Sequence, residues 1–394
     1  MKKIKLGLWI RMPALVVVAA VLIYTPALSC AADKVYFENG AKAAYGAVSV
    51  VDLRGTWREM GRQYGALLSK ELRHVYETGI MTKILGCDAE KLKTAEAAAL
   101  DFYSYYPYTM REVIKGMSET SGLTQRQLIL VNAVEKLGGM AKCAGIAAWG
   151  SYTSGPLVYG RDYDYFPWFK ALADDIVIAV YHPADGSLAA ATVGYAGEIY
   201  AVNGLNEKGM FFELNNGSFS AGGTHFINRI HSAVQLFPLL FEADSMRCAD
   251  LFFHTANSAG SYIIGVTDGK SARGYEWSVF GVKRSDEKEN LMVITNHFTA
   301  KEWGLPETTD AKSFSSLTRR KNLLALAEKN KGKITAAVMR GILDLPLEKG
   351  GAASEITVYQ MVVVPTELSV WLKIPGRQEW TYVDMGSYLK ELKK

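Results

Sequence analysis

Residues 142–165 read KCAGIAAWGSYTSGPLVYGRDYDY and predict two strands joined by a turn. The apolar run after Cys143 and the run 157–159 are strand-like, and a Thr-Ser-Gly-Pro segment between them is typical of a turn. In a hairpin, residues far along one arm lie beside the start of the other arm. The stretch therefore brings a thiol, the guanidinium of Arg161 and the carboxylate of Asp164 together, which favours nucleophilic catalysis.

The composition is that of a globular protein of one large domain or two ordinary ones. Of 394 residues, 49% are apolar and 21% are charged. The net charge is only +4 and no basic cluster is interleaved with aromatics, so nucleic acid is not an expected partner. The four cysteines are too few for a disulfide framework. We expect Cys87 and Cys248 either to pair with each other or to be buried.

Residues 1–31 are typical of an export signal. Basic residues at positions 2, 3, 5 and 11 precede an apolar run over residues 12–24. That run is too short to span a bilayer but fits the central segment of a secretory signal. Small residues follow, so we expect cleavage near Ala31 or Ala32 and export to the periplasm or the extracellular space. Lipid attachment at Cys30 is the less favoured alternative.

The hydrophobic pattern predicts a helical first part and a strand-rich second part. A short strand is expected at 43–53, and helical spacing follows at 57–75, at 89–118 with an interruption near Pro107, and at 125–137 with a Thr124/Gln127 capping box. Later helices are expected at 226–241, 245–258, 313–329 and 334–343, and a closing hairpin at 357–374. Further strands are expected at 144–150, 157–164, 175–182, 188–194, 198–203, 209–215, 261–266, 273–279 and 291–295. This alternation predicts an α+β fold with antiparallel sheets.

A cysteine nucleophile needs a group that takes its proton. The pair Asn296-His297 leaves a cysteine–histidine protease open, although no local signature of that class surrounds Cys143. Cleavage of the Lys142–Cys143 bond would instead give Cys143 a free α-amino group. Its pKa of about 7.7–8 would suit it to act as the base.

Five segments, in order, resemble the cysteine branch of the N-terminal nucleophile hydrolases. They are GRQYG at 61–65, Cys143 with GRDYD at 160–164, residues 206–215, ITNH at 294–297 and SSLTR at 315–319. The chain most resembles the acyl-CoA:6-aminopenicillanic acid acyltransferase group, with choloylglycine hydrolase and penicillin V acylase as relatives. The resemblance implies a four-layer αββα sandwich of two antiparallel sheets with a helical N-terminal pro-region. It divides the chain into a signal peptide (1–31), a pro-region kept as a small subunit (32–142) and a catalytic domain (143–394).

The resemblance also implies roles at the hairpin. Cys143 would be the nucleophile, first in self-cleavage and then on substrate. Arg161 would favour its thiolate, and Asp164 would bind the new α-amino group. Asp162 and Ala144 depart from the pattern, because relatives commonly carry Asn and Thr or Ser there.

Three further roles follow from the resemblance. Asn215 would offer its side-chain NH₂ to the oxyanion, Asn296 would orient the amine or the substrate, and Arg319 would complete the charged network. Each residue also has an ordinary structural interpretation. Cys143 could be a small core residue, and Arg161 with Asp164 could form a surface ion pair. Asn215 could lie in a turn and Asn296 at the end of a strand. Arg319 could be a solvated helix residue, with Arg320 as an equally available neighbour.

The sequence thus favours an exported enzyme that hydrolyses a linear, non-peptide amide through a thioester at Cys143. The expected partners are a small-molecule N-acyl amide and the cleaved pro-region, and a homo-oligomer stays open. No cofactor or metal is expected. Acyl transfer to an amine and an inactive exported binding protein are the alternatives. Aromatic residues near the hairpin suit an acyl chain or a core, namely Trp149, Tyr163, Tyr165, Phe166 and Trp168.

Overall fold

The computed structural model describes residues 34–138, 142–221, 229–306 and 308–390. The predicted export signal lies outside them. The strands are β1 Val35–Phe37, β2 Gly40–Tyr45, β3 Val48–Gly55, β4 Lys142–Ala148, β5 Val158–Asp164, β6 Ile176–Pro183, β7 Ala190–Tyr195, β8 Asn203–Asn206, β9 Phe211–Asn216, β10 Tyr262–Thr267, β11 Ala272–Ser278, β12 Gly281–Arg284, β13 Leu291–Ile294, β14 Thr357–Val364, β15 Ser369–Ile374 and β16 Gln378–Asp384.

The helices lie before β4, between the sheet segments, and near the end of the chain. They are α1 Trp57–Leu67, α2 Ser69–His74, α3 Ala89–Ser104, α4 Tyr108–Thr120, α5 Gln125–Asn132, α6 Val134–Gly138, α7 Ser218–Ala221, α8 Ser232–Glu242, α9 Met246–Thr255, α10 Asp310–Ser313, α11 Ser316–Lys329, α12 Ala336–Leu343 and α13 Gly386–Leu389. A wide π-type helical stretch, Val75–Ile84, joins α2 to the segment before α3. Across the described ranges, no helix is both long and apolar enough to cross a bilayer.

Two sheets form the centre of the molecule. Among the described residues, the larger has ten strands in the order β1-β2-β3-β6-β7-β8-β9-β10-β11-β12, and the smaller has six in the order β13-β4-β5-β14-β15-β16. Neighbouring strands are antiparallel except β3 and β6, which pair in parallel from Ser49–Val177 to Gly55–Pro183. Antiparallel pairing follows from the short turns between most consecutive strands.

The sheets pack face to face, with helices outside both. The rings of Tyr159 and Phe211, from opposite sheets, have centroids 4.8 Å apart. Helices α11 and α12 cover the outer face of the smaller sheet, where Met339 and Leu343 pack in a cluster with Val362. Helices α1, α8 and α9 pack against the larger sheet. The predicted α+β, four-layer αββα sandwich is therefore confirmed.

The N-terminal part is less purely helical than predicted. Strands β1–β3 extend the larger sheet, and β3 bonds directly to β6 of the part that follows Cys143. The interruption expected near Pro107 in the 89–118 helix is confirmed, because proline has no N–H to donate within a helix and fits the start of a new one. The helix expected at 125–137 is divided at Ala133, while its Thr124/Gln127 capping box is confirmed.

Several strand predictions needed correction. The strand expected at 198–203 is wrong, since β8 begins only at Asn203, after a turn with Gly197 at φ 95°. Strands β12 and β16 were not predicted. The closing hairpin over 357–374 is confirmed. Cys87 and Cys248 are both free, and Cys87 is exposed, so neither expectation for that residue holds.

The GRQYG segment has a packing role that explains its small residues. A Cβ on Gly61 would lie 2.2 Å from the carbonyl oxygen of Val113, and one on Gly65 would lie 2.6 Å from that of Met117. Helices α1 and α4 therefore contact each other backbone to backbone. Tyr64, between these glycines, accepts a hydrogen bond from the Gly197 N–H at 2.8 Å. This segment anchors the N-terminal part to the sheets.

Candidate active site

The hairpin predicted for residues 142–165 forms. Strands β4 and β5 are antiparallel, with Cys143 opposite Tyr163 and Gly145 opposite Arg161. Because side chains alternate along a strand, these four residues share the face that meets the larger sheet. The thiol and the guanidinium are thus buried between the sheets.

Arg161 lies directly against the sulfur. Its Nη2 is 3.5 Å from Cys143 Sγ and also donates to the Leu214 carbonyl at 3.0 Å. Burial raises the pKa of the Cys143 thiol to about 12, although Arg161 opposes the rise. The expected effect of Arg161 on the thiolate is present in direction, but burial outweighs it in the uncut chain. The thiol is therefore protonated there.

Asn215 presents an amide donor beside this pair. Its Oδ1 accepts from Arg161 Nη1 at 3.3 Å, which turns Nδ2 away from the guanidinium. In the described part of the chain, the buried Nδ2 has no hydrogen bond of normal geometry. The Asn215 side chain nevertheless favours the ionised form of Glu213 and so opposes the rise that burial causes in the pKa of Glu213. A buried donor without a proper acceptor is costly to keep in a stable fold.

Glu213 is a site residue that sequence reasoning missed. Its carboxylate lies 3.4 Å from Arg161 Nη1, and both side chains are fully buried. Burial raises the pKa of Glu213, while Arg161 opposes the rise. A Cβ on Gly145 would lie 2.2 Å from the Glu213 carboxylate, so any larger residue there would have to displace that side chain. The available signal was periodicity, because Glu213 is two residues before Asn215 on the same strand face and a buried arginine requires a counter-charge.

Asn296 and Arg319 hold the main chain of Cys143. The Cys143 N–H donates to Asn296 Oδ1 at 3.0 Å, and its carbonyl accepts from Arg319 Nη1 at 2.8 Å. Arg319 Nη2 also donates to Asn296 Oδ1 at 2.7 Å. Asn296 Nδ2 in turn donates to the Asn216 carbonyl at 2.9 Å. Both predicted residues therefore contact Cys143 through its backbone.

Asp164 follows Tyr163 on β5 and lies opposite Lys142 on β4. Its Oδ1 accepts from the Thr357 hydroxyl at 2.6 Å, and its main chain hydrogen-bonds the Cys143 sulfur. Burial raises the pKa of Asp164 to about 6 against the opposing charge of Arg319. In the uncut chain the Cys143 nitrogen meets Asn296, so the expected contact between Asp164 and the amine stays a prediction for the cut protein.

A turn in an unusual conformation positions Arg319. Phe314 and Ser315 have φ of 53° and 61°, a region that a bulky residue such as phenylalanine rarely adopts. The turn starts α11, and the Ser316 hydroxyl accepts from the Asn296 N–H at 2.8 Å. Arg320 instead donates to the Asp286 carbonyl at 2.8 Å, so it is Arg319 that reaches Cys143.

The histidine alternative does not fit this geometry. His297 contacts the Ser316 hydroxyl at 2.7 Å and the Thr295 hydroxyl at 3.3 Å. Burial lowers its pKa to about 4, with Arg320 and Arg319 adding to the effect. Among the described residues, the imidazole of His297 hydrogen-bonds to hydroxyls, whereas Arg161 lies against the sulfur of Cys143.

The aromatic residues near the hairpin meet the last helix before Cys143. The hydroxyl of Tyr163 donates to the Glu135 side chain and that of Tyr165 to the Glu135 carbonyl. A Cβ on Gly138 would lie 2.9 Å from Trp168. Phe166 is partly exposed. In the uncut chain, α6 therefore covers part of the surface expected to receive an acyl group.

Comparisons with known proteins gave structural similarity only. No family model and no curated protein sequence matches the chain. A Caenorhabditis elegans ortholog of N-acylethanolamine-hydrolyzing acid amidase is 16% identical with a TM-score of 0.44, covering 63% of this chain and 97% of its own. A variant of the conjugated bile acid hydrolase from Clostridium perfringens is 13% identical (TM-score 0.44; 62% and 93%). Penicillin V acylase from Agrobacterium tumefaciens is 9% identical (TM-score 0.39; 63% and 88%). We therefore argue function from the residues around Cys143.

Proposed function

We propose that the protein is a cysteine amidohydrolase that cuts its own chain between Lys142 and Cys143 and then cleaves an N-acyl amide through a thioester. One observation carries the proposal. Cys143 Sγ, the Arg161 guanidinium and the unsatisfied Asn215 Nδ2 lie together in a buried site. A nucleophile, a cation and a free amide donor without solvent are the parts that acyl transfer requires.

In self-cleavage, Cys143 Sγ attacks the carbonyl carbon of Lys142. The carbon–nitrogen bond breaks, the thiol proton passes to the departing nitrogen, and a thioester links Lys142 to the sulfur. Water then hydrolyses the thioester, which leaves a Lys142 carboxylate, a free thiol and a free α-amino group on Cys143. Because burial keeps the thiol protonated, proton transfer accompanies attack. The negative charge that develops on oxygen is what Asn215 Nδ2 would stabilise.

The new amine would act as the base during turnover. The Cys143 nitrogen already lies 3.0 Å from Asn296 Oδ1, and Arg319 fixes both Asn296 and the Cys143 carbonyl. An amine held in this orientation, with a pKa of about 7.7–8, suits proton transfer near neutral pH. Asp164 would provide the neighbouring negative charge. This arrangement explains how the site could work without a histidine.

Turnover repeats the same bond changes on a small molecule. Sγ attacks the amide carbonyl of the substrate, the amine product leaves with the proton, and water releases the acyl group as a carboxylic acid. Hydrolysis is favoured over transfer because an exported enzyme has no obvious supply of acyl-CoA. With an amine in place of water as the acceptor, the same thioester would give acyl transfer.

The N-terminal part should stay bound after cleavage as a small subunit. Strand β3 pairs with β6 over seven residues, and β1 and β2 extend the same sheet edge. Met60, Tyr64 and Leu68 are fully buried in the shared core. Separation would expose this apolar surface, at a cost of about 25 cal/mol per Å².

The test combines intact mass with a thiol-directed acyl probe. We expect two chains that meet at 142/143, copurify under native conditions and separate in denaturant, whereas Cys143→Ala gives one uncut chain. A panel of penicillin V, bile-salt conjugates and N-acyl amino acids then identifies the acyl group, with and without added amine acceptors. Wild-type protein that stays uncut and does not react with the probe would refute the enzyme and leave the binding protein.

A further inference from the structure

Asp162 is a buried carboxyl group that the proposed chemistry does not use. It is two residues before Asp164 on β5, so both side chains are on the face that meets α11 and α12. Asp162 is fully buried and Asp164 is 1% exposed. The hairpin therefore places two carboxyl groups side by side, on the face of the smaller sheet opposite to the Cys143 side chain.

The contacts of Asp162 suit an acid more than a carboxylate. Its Oδ1 accepts from Gln360 Nε2 at 2.7 Å, and the same amide nitrogen donates to the Leu343 carbonyl at 2.7 Å. Its Oδ2 is buried and has no hydrogen-bond partner within the described ranges. An ionised carboxylate with one neutral donor and one bare oxygen is poorly compensated in a dry interior.

The positive charges near the pair act mainly on Asp164. Arg319 on α11 faces both carboxyl groups, whereas Lys142 on β4 and Arg161 on β5 act on Asp164. Arg161 already has Glu213 as its partner, at 3.4 Å. Both nitrogen contacts of Arg319 are already made to Cys143 and Asn296. Glu213 on β9 adds negative charge, and Gln360 on β14 is neutral. Two neighbouring carboxylates with so little compensation do not both ionise.

We propose that Asp162 is a positioning residue that holds the proton of the pair, so that Asp164 carries its single negative charge beside the Cys143 nitrogen. Burial and the neighbouring Asp164 raise the pKa of Asp162 well above its ordinary value, in agreement with this assignment. The significance for catalysis rests on the proposed function, whereas the location of the proton does not.

A consequence for the nucleophile follows. Asp164 already raises the pKa of the Cys143 thiol. Ionisation of Asp162 at high pH would add to the negative charges of Asp164 and Glu213 near the sulfur and would oppose the anionic transition state. The pair thus acts as a switch that slows the reaction when its last proton leaves.

The proton is located first in uncut Cys143→Ala protein, whose aspartates carry a ¹³C-labelled carboxyl carbon. We expect one protonated aspartate signal at pH 7.5 that is absent in D162N and present in D164N. D175N is the matched control, because Asp175 is also buried but contacts His74 at 2.6 Å instead of this pair. A pair fully ionised at pH 7.5, or a proton that remains in D162N, would overturn the proposal, and the parent spectrum decides the first point without any variant.

The second arm compares self-cleavage rates of wild type and D162N between pH 6 and 10. Beyond the second ionisation, the wild-type rate should fall relative to D162N by up to about tenfold per pH unit. Parallel profiles, or a loss of D162N activity at every pH with unchanged thermal stability, would overturn the assigned role. If the titration succeeds but neither protein cleaves, the proposed function fails while the proton location stands.

Discussion

Replacing Asn215 tests the free amide donor most directly. Asn215 is fully buried, so truncation of its side chain removes a donor at a position that bulk water does not reach in the folded protein. Loss of one preorganised oxyanion donor costs about 2.7–4 kcal/mol, a factor of about 10²–10³ in rate. We therefore expect Asn215→Ala to slow both self-cleavage and amide turnover by about 10²–10³, without abolishing folding.

Two further variants separate the donor from other effects. Asn215→Asp keeps an oxygen for Arg161 but replaces the NH₂ by a charge that repels an oxyanion, so it should be at least as slow. Asn203→Ala removes another buried asparagine, whose amide already donates to the Val193 carbonyl at 3.2 Å. This control should lose stability yet keep its rate within about threefold, since substitutions away from the reacting groups act mainly on folding.

The assay follows newly made chain in a cell-free synthesis, where the uncut and cut forms separate on a denaturing gel. First-order rates are compared at a temperature well below the unfolding midpoint of each variant. The reasoning is refuted if Asn215→Asp cleaves as fast as the Asn203→Ala control. That result would mean that Asn215 only orients Arg161.

Three other predictions concern the buried charges and the covering helix. Gly145→Ala should force the Glu213 side chain to move, because the new Cβ would lie 2.2 Å from it; a loss of about 1–3 kcal/mol in urea unfolding and slower self-cleavage are expected, and an unchanged midpoint would contradict this. Glu213→Gln should leave Arg161 as an uncompensated buried charge and lower the free energy of unfolding by about 3–5 kcal/mol. The control Glu119→Gln, at an exposed ion pair, should lower it far less. Equal losses would rule out the buried pair as the cause. Burial raises the pKa of Glu135 from 4.5 to about 8. Because the folded value is the higher one, uncut Cys143→Ala protein should lose stability as pH rises through this window. The added Glu135→Gln change should make the thermal midpoint depend less on pH, and parallel curves of midpoint against pH would contradict this.

The sequence predicted the hairpin of residues 142–165 because the pattern that specifies it lies within neighbouring residues. An apolar run, a turn and a second apolar run fix two antiparallel arms, and period-two alternation then decides which residues share a face. Cys143 and Arg161 could be placed together on this basis. The closing hairpin and the Thr124/Gln127 capping box were equally readable, since each depends on residues a few positions apart.

Asn215, Asn296 and Arg319 entered the sequence analysis only through resemblance. They lie 72, 153 and 176 residues after Cys143, and no local pattern joins segments so far apart. The structure brings them together because the sheets stack face to face and the turn at Phe314 orients α11 so that Arg319 donates to the Cys143 carbonyl. It also gives Asn296, and not Asp164, the contact with the Cys143 nitrogen before cleavage.

The charge states were decided by tertiary structure alone. From sequence, Arg161 and Asp164 could form an exposed ion pair, and Asp162 was only a departure from a pattern. Burial between the layers makes Glu213 the partner of Arg161, keeps the Cys143 thiol protonated and leaves Asp162 Oδ2 without a hydrogen-bond partner among the described residues. The sequence by itself determined which groups exist and which strand faces they share. Their protonation depends on desolvation and on distant charges, which only the packed sandwich defines.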